Sequence, residues 1–191
     1  MSEITKIKIF DLDETIIRAP GYTGKKVAEN ENLQFGDAYS FYDHSKSLSD
    51  DLYNIQVISP VMDSWKSGKK DDSCLNVLIT HRVEELKETV ISLLKSRGIT
   101  MDESFFLGRK SKKVDTTLDL INKYYAVQSI EVYEDSIQQI YLYQEFFKEV
   151  NQVRQANGIV PIDVKIWIVD KSRVYEIRSV ALSNEKNITL I

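Results

Sequence analysis

The sequence predicts an α/β fold, with a central, mainly parallel sheet covered by helices on both faces. Two observations predict it. Short apolar runs with strand character alternate with longer runs of helical periodicity along almost the whole chain, the pattern that crossover connections impose on parallel strands. Several of the apolar runs also end in polar residues, as expected where strand ends open on a ligand crevice. No internal repeat, low-complexity tract or linker interrupts the alternation, so the 191 residues read as one domain.

The first strand runs through Ile7 and Ile9 toward Leu12 and carries Asp11 and Asp13 at its end, with Thr15 beyond. Strand side chains alternate faces, so the two acids are expected to project together. Paired carboxylates beside buried backbone require compensation by a cation, a proton or a ligand. Residues 18–73 then depart from the alternation and read as an insertion, either a cap-like unit or a loop along the domain. Pro20, Gly21 and Gly24 favour turns there, and residues 35–44 are rich in aromatics, including Tyr39, Phe41 and Tyr42. Packing is the plain expectation for that segment. A wall beside a site, on which a base or sugar could stack, is the functional one.

Ser59 and Pro60 read as N-cap and first residue of a helix with Val61, Met62 and Trp65 inward. Residues 66–73 form a charged loop lacking the spacing of a phosphate-binding loop. The second strand, 75–79, leads into Thr80, His81 and Arg82, and a helix follows directly through Val83, Leu86, Val90, Leu93 and Leu94 to a C-terminal Gly98. Residues 105–107 make a third strand, followed by the densest basic run, 108–113. Thr116 and Asp119 resemble a capping box for the next helix, with Leu118, Ile121 and Tyr125 inward. A fourth strand, 129–133, ends in Glu134 and Asp135. The helix after it carries Ile137, Ile140, Tyr141, Phe147 and Val150 on its apolar side and closes near Gly158. Residues 163–169 form a fifth strand, and 174–177 and 188–191 add two more.

Composition narrows the functional classes. A net charge of −4 and a pI near 5.3 argue against a protein that coats nucleic acid generally. One cysteine rules out an internal disulfide, and two histidines with it rule out a Cys/His zinc cluster. No apolar run is long enough to span a bilayer. An intracellular, cytoplasmic protein that does not engage membranes is the expectation, and the oligomeric state stays open.

The polar groups at the strand ends resemble, in order, the four motifs of the haloacid dehalogenase (HAD) superfamily. Asp11-Leu12-Asp13-Glu14-Thr15 is similar to its D-x-D-x-T signature and Thr80 to the Thr or Ser ending the second strand. Lys113 is similar to the lysine before a helix, with Lys110 and Lys112 as competitors, and Glu134-Asp135 to the closing acidic pair. Within the superfamily, Leu78-Ile79-Thr80-His81-Arg82, Tyr133-Glu134-Asp135-Ser136 and the aromatic insertion resemble the Swiss-army-knife RNA-repair-like group. His81 stands where that group has glycine, and Ser136 where it has arginine.

The resemblance implies a three-layer Rossmann-like HAD fold and a Mg²⁺-dependent phosphatase. It assigns Asp11 as nucleophile forming an aspartyl-phosphate and Asp13 as acid and then base. Mg²⁺ would be held by Asp11, the backbone carbonyl of Asp13 and Asp135, with Glu134 as alternative ligand. Thr80, seated at a helix N-terminus, and Lys113 would contact the phosphoryl group. Arg82 is a substrate contact or a surface ion pair. The expected substrate is a phosphomonoester, in one version a polynucleotide terminal phosphate, which the basic run 108–113 suits. The alternatives are a small-metabolite or nucleotide phosphatase and, from another class, a catalytically weak binding or scaffold domain.

Overall fold

A computed structural model of the chain describes residues 3–18, 41–49, 53–170 and 173–177. Six strands form one sheet: β1 (Lys6–Phe10), β2 (Cys74–Thr80), β3 (Glu103–Phe106), β4 (Ser129–Glu134), β5 (Asp163–Asp170) and β6 (Arg173–Ile177). The α-helices among the described residues are α1 (Ser59–Lys69), α2 (Lys87–Ser96), α3 (Lys113–Lys123) and α4 (Ile137–Ala156). The strand order is β3-β2-β1-β4-β5-β6, parallel except for antiparallel β6 at the edge. The predicted α/β class and mainly parallel sheet are therefore observed. From β1 the chain builds outward to β2 and β3, then returns to β4 on the other side of β1. That reversal puts the topological switch point, the usual ligand crevice, at the carboxyl end of β1.

Period-two alternation along the central strands feeds two cores. Phe10 and Leu78 join Val61, Met62, Val90 and Leu93 on the α1 and α2 face. Ile7, Ile9, Val77 and Val132 join Leu120, Ile121, Ile140, Tyr143 and Phe147 on the α3 and α4 face. Strands covered on both faces account for the near-continuous apolar runs read in the sequence. Gly68 is required where α1 crosses β2, since a Cβ there would meet Asn76 Oδ1 at 2.3 Å.

Several local expectations are corrected. Ile58, not Ser59, is the N-cap of α1, and it makes no side-chain cap bond, although proline does occupy the first turn. No α-helix follows Thr80 directly: a short 3-10 turn at Glu84–Leu86 intervenes, and α2 starts at Lys87. The Thr116 and Asp119 pair caps nothing, because α3 already begins at Lys113, which two acids hold in place. Leu118, Tyr125, Ile137 and Tyr141 are exposed rather than inward. Helices α3 and α4 carry more apolar residues than the sheet can cover, and only the central stripe of each is buried. Phe41 and Leu48 of the insertion are buried, whereas Phe35, Tyr39 and the strand expected at 188–191 lie outside the described residues. Among the described residues no helix is long and apolar enough to cross a membrane.

Candidate active site

The carboxyl ends of β1, β2 and β4 and the start of α3 converge on a cleft of about 590 Å³. Asp11, Asp13, Thr80, Arg82, Lys113, Glu134 and Asp135, the sequence-predicted set, all line it.

Strand alternation is not what brings the two aspartates together. β1 ends at Phe10; Asp11 stays on the sheet by donating its N–H to the Tyr133 carbonyl at 3.0 Å. Beyond it the chain turns back on itself. Glu14 takes a positive φ of 57°, and the N–H groups of Ile16 and Ile17 both donate to the Leu12 carbonyl. This loop, rather than an extended strand, delivers Asp13 to the cleft. Thr15 is fully buried beneath the turn and does not line it.

Lys113 is the lysine the fold selects from the basic run. It is 2 % exposed, and its Nζ donates to Asp11 Oδ1 and Glu134 Oε2, each at 2.6 Å. Lys110 and Lys112 are exposed. Glu134 is therefore a buried partner of Lys113, not a solvated surface acid. Burial pushes the Asp11 carboxyl up to about 7; Lys113 opposes the rise, while Glu134 and Asp13 add to it. Burial likewise raises Glu134, and it raises Asp135 to about 6 with help from Asp11. For Lys113, burial favours the neutral amine, but Asp11 and Glu134 together outweigh it and hold the ammonium above the ordinary lysine range.

Asp11, Glu134 and Asp135 each offer a carboxylate oxygen within 4.8 Å of the others. A single buried ammonium faces these three acids. Oxygen donors with that excess of negative charge fit a hard divalent cation such as Mg²⁺.

The side chain of Asp13 belongs to a different arrangement. Arg82 Nε donates to Asp13 Oδ2 at 2.8 Å and Nη2 to Asp13 Oδ1 at 2.6 Å, a two-pronged pair. Arg82 is 2 % exposed, so the expected surface ion pair is corrected to a buried one. Its Nη1 donates to the Tyr42 carbonyl and to Ser47 Oγ, and the guanidinium lies over the Tyr42 ring at 5.0 Å. Thr80 Oγ1 accepts from the Arg82 N–H at 3.2 Å. The helical segment after β2 opens as the 3-10 turn at Glu84, with Val83 as its N-cap, so Thr80 lies ahead of that N-terminus and does not cap it.

The rim joins residues of the sequence motifs, Arg109, His81 and Ser136, to two that the sequence did not single out, Asp43 and Gln139. Arg109 donates to Asp43 at 2.6 Å, joining the insertion to the loop after β3. His81 Nδ1 pairs with the Gly108 carbonyl at 2.9 Å, and Ser136 caps α4 by accepting from the Gln139 N–H. Asp43 and Gln139 carry no spacing signal, since each reaches the cleft through tertiary packing; neither does Ser47, which is buried behind the cleft against Arg82.

Comparison with known proteins agrees with this frame. The family model described as "HAD domain family 1 in Swiss Army Knife RNA repair proteins" matches residues 31–182, and the chain belongs to that family. A solved "Structure of Pnkp1/Rnl/Hen1 complex" is similar over 88% of this chain and 47% of the other, at 16% identity and a TM-score of 0.51. A "Structure of the Pnkp1/Rnl/Hen1 RNA repair complex" covers 86% of this chain and 44% of the other, at 16% identity and a TM-score of 0.47. The chain thus spans about half the length of the chains it matches, and the likeness to the first is one of fold. No curated protein matches it in sequence.

Proposed function

We propose that the chain is a Mg²⁺-dependent phosphomonoester hydrolase of the HAD type, acting through an aspartyl-phosphate on Asp11, with the terminal phosphate of RNA or DNA as substrate. One observation carries the reading: a buried aspartate bonded to a buried lysine sits in a cleft beside a buried glutamate, the half-buried Asp135 and a further aspartate held by its own arginine. Family membership supports the phosphatase class, and its RNA repair setting supports the polynucleotide substrate.

In this reading Asp11 attacks phosphorus through a carboxylate oxygen, and the bond from phosphorus to the ester oxygen breaks. Asp13 gives its proton to the departing oxygen, then takes one from the water that attacks the phosphorylated Asp11 and releases inorganic phosphate. Lys113 keeps Asp11 oriented and offsets the negative charge that gathers there. Thr80 offers its hydroxyl to a phosphate oxygen. Asp11, Asp135 and the Asp13 backbone carbonyl are the groups that would hold Mg²⁺, with Glu134 completing the acidic wall. When bound, the cation supplies charge compensation for the anionic nucleophile and phosphoryl group. An intracellular, cytoplasmic setting goes with this function.

The test is phosphate release with Mg²⁺ from 3′- and 5′-phosphorylated oligonucleotides, compared with small sugar phosphates and nucleotides. Wild type is expected to favour the oligonucleotides, and Asp11→Asn to lose activity by ~10⁴-fold or more, as when a covalent nucleophile is removed. Preference for a small ester would overturn the polynucleotide substrate. Equal release by Asp11→Asn and wild type would overturn the site.

A further inference from the structure

The placement of Arg82 answers a question that the proposed chemistry leaves open: what fixes the acid–base while the nucleophile works. The guanidinium has five N–H donors. Two of them bind Asp13 and two more bind the Tyr42 carbonyl and Ser47 Oγ. The two-pronged edge that would grip a phosphate is already spent on Asp13. Only one N–H remains, on a side chain 2 % exposed, so the arrangement does not suit a phosphate contact. Asp13, by contrast, lines the cleft with a side chain 26 % exposed, and each of its oxygens keeps an acceptor site beyond the one Arg82 uses.

The far side of Arg82 is anchored at the end of the aromatic-rich segment and just after it. Ser47 is fully buried and donates its own hydroxyl to the His44 carbonyl at 2.8 Å. Tyr42 supplies both a carbonyl and the ring under the guanidinium. Arg82 thus connects Asp13, after β1, to residues 42–47, which lie outside both strands that deliver the site.

We propose that Arg82 is a positioning residue: it aims Asp13 at the leaving oxygen and the attacking water, and residues 42–47 set its aim, so the insertion controls the proton-transfer steps from within the protein rather than by touching substrate. This rests on the hydrolase reading above. It gives residues 42–47 a part in catalysis through Arg82.

Two ester classes separate the roles. An alkyl phosphomonoester needs its leaving oxygen protonated, whereas 4-nitrophenyl phosphate carries a leaving group that departs as the anion. With Mg²⁺ present, Arg82→Gln is expected to slow the alkyl ester by ~10²-fold in kcat with KM nearly unchanged. On the aryl ester the same variant should retain a burst of nitrophenolate matching the enzyme concentration, followed by slow turnover, because phosphorylation of Asp11 persists while water activation fails. Arg82→Lys should not rescue, since an ammonium cannot reproduce the fork. Ser47→Ala removes one anchor and keeps Arg82, so it serves if the arginine variants fold poorly. It should lower alkyl turnover several-fold, and add no further loss in an Asp13→Asn background. Equal loss on both esters with raised KM would make Arg82 a substrate contact and overturn the proposal. Turnover reduced on both esters only in proportion to the folded fraction would overturn it in favour of a structural role. Activity of Ser47→Ala equal to wild type on the alkyl ester would overturn the part given to the insertion. Wild type inert on both esters would instead remove the hydrolase reading itself.

Discussion

Among the described residues two lysines, Lys8 and Lys113, are buried, and the contrast between their surroundings marks where the chemistry can reside. Lys8, on β1 under α1, donates to the Ser64 carbonyl, Ser64 Oγ and Ser67 Oγ at 2.9–3.1 Å, and faces one carboxylate, Glu131, at 3.4 Å. Tyr133 completes that cluster by bonding to Ser64 and Glu131. One cation meets one acid, neutral groups fill the remaining positions, and the cluster is closed by α1. Lys113 meets two carboxylates at 2.6 Å, with Asp135 beside them, and the group opens on a cleft. A balanced buried charge can be satisfied entirely within the fold. An unbalanced one, open to solvent, is short of positive charge that a cation can supply.

The contrast is broken most directly by removing each ammonium. Lys113→Met leaves two buried acids without their partner and is expected to cost about 3–5 kcal/mol of stability. It should also lower phosphate release by about 10²–10³-fold. Lys8→Met should cost stability while leaving kcat on any turned-over substrate near wild type. Denaturant unfolding and steady-state kinetics check both, and a large loss of kcat in Lys8→Met would erase the distinction.

Gly68→Ala sharpens the structural side. The new Cβ would press on Asn76 beneath α1, so about 1–3 kcal/mol of destabilisation is expected, with phosphatase kinetics retained. Urea midpoints for the variant measure it directly.

The smallest effect concerns pH. Asp11 near 7 and Asp135 near 6 are both raised by burial above the aspartate values of an unfolded chain. A raised acid binds its proton more tightly when folded, so the metal-free domain carries the full penalty of these charges above pH 7. The penalty is relieved as pH falls through 7 and 6 toward 4, below which the unfolded chain takes up the same protons. The contribution of these acids should therefore make Tm without metal rise between pH 8 and pH 5, and saturating Mg²⁺ or Asp11→Asn should flatten the change. An unchanged slope in Asp11→Asn would mean that this acid is not the group responsible.

Much of the fold was legible from residues alone. The segments 75–79, 129–133 and 163–169 lie within β2, β4 and β5: the first is a continuous apolar run because β2 is buried on both faces, while 129–133 carries the alternation of a strand with one face less covered. Gly98 and Gly158, at φ of 72° and 70°, follow the ends of α2 and α4 as their positions suggested. Helix faces were less legible. Ile137 and Tyr141 are apolar and periodic, yet exposure depends on how much of α4 the sheet can reach. Sequence spacing carries no information on that width.

The same division runs through the candidate site. The sequence by itself determined the residue types at the strand ends, including Asp11, Asp13, Thr80 and Glu134-Asp135, since a parallel sheet sends its strand ends to one edge. Only the tertiary structure decided their partners. It selected Lys113 over Lys110 and Lys112 by burying one ammonium between two carboxylates. It turned Arg82 away from solvent onto Asp13 and tied it to Tyr42 and Ser47, 40 and 35 residues earlier. The reason is physical: a strand fixes where a side chain begins, but the charge it meets is set by elements distant in sequence that packing brings to the same cleft.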